Sequence, residues 1–117
     1  MAKFLFIYRQ STAPQSQPSP EEMQALGGQW YAWMQKFKSA IVIGDGLKPS
    51  GRQVKAGIVT DGPYAEAKDM VLGFIMIEAR DMALAIELAR GCPMVTGGAT
   101  VEIRPVGQST EARITKE

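Results

Sequence analysis

Two short segments of this chain are apolar on both sides. Residues 3–9 (KFLFIYR) turn Phe4, Phe6 and Tyr8 to one face of an extended strand and Leu5 and Ile7 to the other. Residues 70–77 (MVLGFIMI) have no polar side either. Strands of this kind need cover on both faces, which assigns them to the centre of a sheet.

Helix signals follow both segments. Ser19-Pro20-Glu21-Glu22 starts the first helix, with Ser19 as N-cap, Pro20 at the first helical position and Glu22 completing a capping box. Met23, Leu26, Trp30, Trp33, Met34 and Phe37 then recur with helical spacing, and core packing accounts for that stripe. Gly27-Gly28 inside the helix costs about 1 kcal/mol per glycine, which predicts close backbone approach or room for a ligand there. Asp81 caps a second helix running to about Arg90, with Gly91 as its C-cap and Met82, Ala85, Ile86 and Ala89 as its buried stripe. Residues 40–43, 54–59 and 99–106 read as further strands, and Gly44-Asp45-Gly46 with Pro49 and Gly51 as a loop.

The order strand, helix, one or two strands, strand, helix, strand is that of an α+β, ferredoxin-like βαββαβ fold: an antiparallel sheet with two helices on one face. Its central strands are the two that are apolar on both sides. One domain is expected over residues 1–106, with 107–117 as a polar C-terminal tail. Two helices cover only one sheet face, so the other is expected to be buried in a homodimer with a cavity between the sheets.

Composition narrows the functions. Thirteen basic and 12 acidic residues give a net charge of +1, which leaves no bulk electrostatic case for nucleic acid or acidic membranes. A single cysteine, Cys92, allows no intrachain disulfide. The first nine residues are too short and too soon interrupted for a signal peptide, and no apolar run approaches a membrane span, so a cytoplasmic protein is expected. There is no histidine. Histidine bases, histidine-containing triads and histidine metal ligation are therefore excluded. Neither a cofactor motif nor a metal constellation is visible.

The run Thr60-Asp61-Gly62-Pro63-Tyr64-Ala65-Glu66-Ala67-Lys68-Asp69 is the candidate site. It places reactive groups in one loop at the edge of a core strand. Asp61 reads either as a turn residue bonded to its own backbone or as a carboxylate at a cavity mouth, acting as catalytic base or ligand anchor. Tyr64 reads as an amphipathic wall residue. Glu66 and Lys68 read as a solvated pair, or Lys68 as the partner of a carboxylate ligand. Asp45 reads as a turn residue or a ligand contact between two glycines. Tyr8 and Arg9, ending the first strand, can lie near the Asp61 loop, with Arg9 as an anion clamp. Cys92 lacks an activating neighbour and reads as an inert thiol.

Asp61-Gly62-Pro63-Tyr64, with Glu66, Lys68 and Leu72-Gly73-Phe74 following, resembles the DGPF-type branch of the YCII-related proteins. Gly44-Asp45-Gly46-Leu47-Lys48-Pro49 upstream and residues 98–106 (GATVEIRPV) at the end are similar to that branch too. The resemblance implies a small dimeric ferredoxin-like domain. It also carries an enzyme proposal resting on a histidine and an aspartate, and a link of some members to sigma-factor-type transcription proteins. The motif aspartate carries over as Asp61, whereas the histidine, which would fall near Gly28 or Gln29, is missing. Three roles follow: a small-molecule enzyme, a binding or regulatory module without turnover, or an interaction partner of transcription proteins. The first two come before the third, and the substrate is not readable.

Overall fold

The computed structural model describes residues 2–11, 18–62 and 69–107. The elements are β1 (Ala2–Ser11), α1 (Pro20–Lys36), β2 (Ile41–Gly46), β3 (Arg52–Lys55), β4 (Ile58–Asp61), β5 (Asp69–Ala79), α2 (Met82–Arg90), α3 (Pro93–Thr96) and β6 (Thr100–Pro105). Four strands form an antiparallel sheet in the order β2-β5-β1-β6. β5 and β1 are its centre, where their apolar sequences require them to be. The fold is α+β and ferredoxin-like, with β3 and β4 as a separate hairpin between β2 and β5.

The helices cover the face presented by Phe4, Phe6 and Tyr8 of β1 and Ile75, Ile77 and Ala79 of β5. Phe6 and Ile77 are fully buried, and each contributes roughly 1.5–3 kcal/mol by leaving water. α1 begins at the predicted capping box: Ser19 Oγ accepts from the Glu22 amide at 3.1 Å, and the Glu22 carboxylate accepts from the Ser19 amide. The Trp33 indole N–H donates to the Leu88 carbonyl at 3.0 Å, tying α1 to the end of α2. Asp81 caps α2 by accepting from the Leu84 amide at 3.0 Å. Leu88 is buried in α2, whereas Ile86 is exposed, so the stripe runs through Ala85, Leu88 and Ala89.

Three local expectations are corrected. Residues 54–59 are not one strand: Ala56 (φ 51°) and Gly57 (φ 82°) reverse the chain into a two-residue turn. Positive φ at both turn residues matches strand twist in a tight hairpin. Gly44-Asp45-Gly46 is not a loop but the end of β2, paired with residues 73–75 of β5. A short helix, α3, also follows Cys92. Around Gly27 and Gly28 nothing lies within 4 Å of where a Cβ would stand, so close backbone approach is not what keeps them.

Candidate functional site

A ladder of edge-to-face aromatic rings runs from the sheet into α1. Phe6 and Tyr8 stand 6.5 Å apart, Tyr8 and Trp30 6.3 Å, Trp30 and Trp33 5.8 Å, and Trp33 and Phe37 5.7 Å. Such pairs stabilise by about 0.5–1.5 kcal/mol each beyond burial. Trp33 closes the inner part of the α1–sheet interface. Trp30 and Met34, nearer the solvent, do not close the outer part.

The gap they leave is a cleft of about 350 Å³ between α1 and the β2–β5 side of the sheet. Tyr8, Trp30, Met34, Ile41 and Met94 form its apolar walls, and residues 44–46 and 72–75 line it along the two strands. Both bordering strands are irregular beside it. Register shifts occur between Ile41 and Ile43 in β2, and opposite Tyr8 and Arg9 where β5 takes up Leu72 as an extra residue. Bulges of this kind re-aim side chains and recur next to binding sites. The Leu72 carbonyl accepts from the Leu47 amide at 2.7 Å, which holds the chain leaving β2 at the cleft's end.

Few polar groups reach this cleft. The Tyr8 hydroxyl accepts from the Cys92 thiol at 3.3 Å. Burial holds both groups protonated: it pushes the Tyr8 phenol far above its ordinary value and the Cys92 thiol upward as well. Cys92 is thus fully enclosed behind Tyr8. Asp45 lies on the β2 border of the cleft, but its register with Phe74 directs its side chain to the opposite sheet face, where it accepts from the Gly46 amide at 2.8 Å and is otherwise exposed.

Of the described sequence candidates, Tyr8 alone therefore presents its side chain to the cleft. Arg9 points to the opposite sheet face, where its Nε and Nη2 both lie 3.2 Å from Glu102 Oε1. Glu102 also meets Arg104 at 3.2 Å, so this face carries a paired network rather than an open anion clamp. Asp61 ends β4, with its side chain 95 % exposed and 3.2 Å from Arg52 Nε. It does not line the cleft. Tyr64, Glu66 and Lys68 lie outside the described residues. Trp30 and Met34 are readable in the sequence only as core stripe, and Met94 carries no motif at all. Their role as walls depends on how far α1 stands from the sheet, which periodicity does not encode.

Among the described residues there is no group of three or more Cys, Asp or Glu side chains that could hold a metal. No helix among them is long and apolar enough to cross a membrane.

Sheet order and helix placement define a small ferredoxin-like α+β domain with a cleft beside its sheet. The chain belongs to the YCII-related family: the family model of the YCII-related domain matches residues 4–108. Among solved structures it is similar to 5-chloro-2-hydroxyhydroquinone dehydrochlorinase from Burkholderia phenoliruptrix, determined in complex with 2,5-dihydroxybenzoquinone. That likeness has a TM-score of 0.54 and 16 % identity over 92 % of this chain and 97 % of the other, and it shows the shared fold. No curated protein matches the chain.

Proposed function

We propose that this protein binds a small, uncharged, largely planar molecule in the cleft beside Tyr8 and Trp30, working as a homodimer. The observation that carries this reading is the cleft itself: about 350 Å³, walled by two aromatic rings and two methionines. That volume suits a one- or two-ring compound and falls in the ordinary range for ligand pockets. Among the described residues no cation lines this apolar cleft, so an anion entering it would lose its hydration without gaining a partner. Tyr8, held protonated, has its phenol proton left for an acceptor oxygen on the ligand once the Cys92 thiol donates to it. The dehydrochlorinase of similar fold was solved with an oxygenated ring compound, which makes phenols and quinones the first class to try. Without a histidine, any proton transfer on such a ligand falls to Tyr8 or to a carboxylate such as Asp61 brought in from elsewhere.

The homodimer reading rests on the open sheet face. Cross-strand register puts Ile43, Met76, Leu5 and Arg104 in one row and Asp45, Phe74, Ile7 and Glu102 in the next. The middle of that face is apolar. Its β2 edge carries the Asp45 carboxylate, and its β6 side carries Arg9, Arg104 and Glu102, which together have one excess positive charge. A two-fold axis parallel to the strands would lay each edge over its opposite in a second copy.

Isothermal titration calorimetry with hydroquinone, catechol, p-benzoquinone and benzoate tests the ligand reading. Saturable binding of the uncharged rings, abolished by Trp30→Ala and weaker for benzoate, is the expected result. Equal binding by the Trp30→Ala protein refutes the cleft as the site.

A further inference from the structure

The β3–β4 hairpin is a well-formed element that nothing among the described residues covers. The Gly62 amide donates to the Gly51 carbonyl at 2.8 Å and Arg52 pairs with Asp61, closing the base. Val54 pairs with Val59 and Lys55 with Ile58 on either side of the turn. Yet Val54 is 71 %, Ile58 66 % and Val59 62 % exposed. A lone two-stranded hairpin is at best marginally stable in water, and three β-branched apolar side chains on one gain nothing from facing solvent.

We infer that the hairpin is an intersubunit arm: in the homodimer, Val54 and Val59 of each copy pack against the open sheet face of the other. This rests on the homodimer reading above. A second copy is the occupant the chain itself favours, because it exposes two unmatched apolar surfaces and one two-fold rotation covers both pairs at once. The open face offers Leu5, Ile7, Phe74 and Met76, each only half-exposed, together with exposed Ile43. Stable interfaces bury about 800 Å² per partner, and two arms extend so modest a patch toward that size. The arm is roughly 15 Å long at the rise of an extended strand, enough to reach past the sheet's end onto a neighbour. The pairing of its residues also explains the position of Asp61. Arg52 and Asp61 share a face with Val54 and Val59, so the arm carries the Asp61 carboxylate, already neutralised by Arg52, to the second copy rather than to its own cleft.

Sedimentation velocity of the full chain over a concentration series tests this, comparing wild type with Val54→Asp/Val59→Asp and with a variant in which residues 52–61 are replaced by Asn-Gly. The short Gly51–Gly62 bridge lets that second variant close without disturbing β2 or β5. The dimer dissociation constant is expected to rise about tenfold or more in both, as loss of interface anchors does, and to stay unchanged in Tyr31→Ser on the exposed side of α1. A wild-type dimer that both arm variants leave intact overturns the arm while sparing the homodimer. A monomeric wild type overturns both. A photo-crosslinker at position 59 in mixed isotope-labelled protein gives an independent reading. Cross-links between copies onto strands β1, β2 or β5 support the arm, and cross-links confined to one copy refute it.

Discussion

Gly73→Ala should destabilise the protein while Gly28→Ala stabilises it, although the chemical change is the same. A Cβ on Gly73 would stand 2.8 Å from the Asp45 carbonyl oxygen and 3.1 Å from the Gly46 Cα. Both are backbone atoms of β2, so neither can rotate away. The β2–β5 pair must separate by roughly half an ångström, an overpacking cost of about 1–3 kcal/mol. Restricting the unfolded chain returns about 0.4–1 kcal/mol, which leaves a net loss of about 1–2 kcal/mol. A Cβ on Gly28 meets nothing within 4 Å, so alanine gains its helix propensity of about 1 kcal/mol unopposed. An unfolding entropy of about 2.1 cal/mol/K per residue makes 1 kcal/mol worth roughly 4 °C in Tm for a chain of this size. Differential scanning calorimetry should therefore show Gly73→Ala roughly 4–8 °C below wild type and Gly28→Ala about 4 °C above it. Two variants with the same sign of change would refute the reasoning. A destabilising Gly28→Ala would mean that the space beside α1 is filled in solution.

Further outcomes follow from the same structure. Trp33→Phe removes the donor to the Leu88 carbonyl from a buried position, and thermal denaturation should show a loss of about 1–3 kcal/mol. Tyr8→Phe takes away only the hydroxyl shared with Cys92; stability should fall by about 1 kcal/mol or less, while calorimetric affinity for ring ligands falls. At low pH, the Leu84 amide holds the Asp81 carboxyl below its unfolded value, so its contribution is full above that value and is lost as pH falls through the folded one. Urea midpoints measured from pH 7 to pH 3 should decline less steeply in Asp81→Asn. At high pH the sign reverses: the buried Cys92 thiol is raised above its ordinary 9.0, so its contribution is complete below that pH and is lost as pH climbs further. Cys92→Ala should flatten the alkaline limb.

The parts of this fold that were legible in the sequence are those where one local signal suffices. Alternation with both sides apolar identified β1 and β5 as the central pair, and the capping box at Ser19 and the cap at Asp81 located two helix starts. The hairpin was not legible because its turn is Ala56-Gly57 rather than Asn-Gly, so a continuous apolar run concealed a reversal. The two glycines flanking Asp45 suggest a loop, where the structure has the end of β2. The β2–β5 strands come too close there for side chains, and glycine serves close strand packing instead of turning. The site divided in the same way. Tyr8 reaches the cleft, whereas Arg9 and Asp45 are carried to the other face by the alternation of their own strands. Asp61 is set apart by the hairpin that the sequence hid. The cleft arises from the standoff of Trp30 and Met34, and that is a tertiary distance without a local signature.

The most direct test of a ligand cleft beside Tyr8 and Trp30 is an NMR titration of ¹⁵N-labelled protein with hydroquinone and catechol, following every backbone amide and the tryptophan indole N–H signals. The account predicts shifts centred on the Trp30 indole and the amides of Gly44, Gly46 and Gly73, with residues 52–61 unmoved by the ligand. Shifts centred on Arg52 and Asp61, with the cleft amides unmoved, would contradict it.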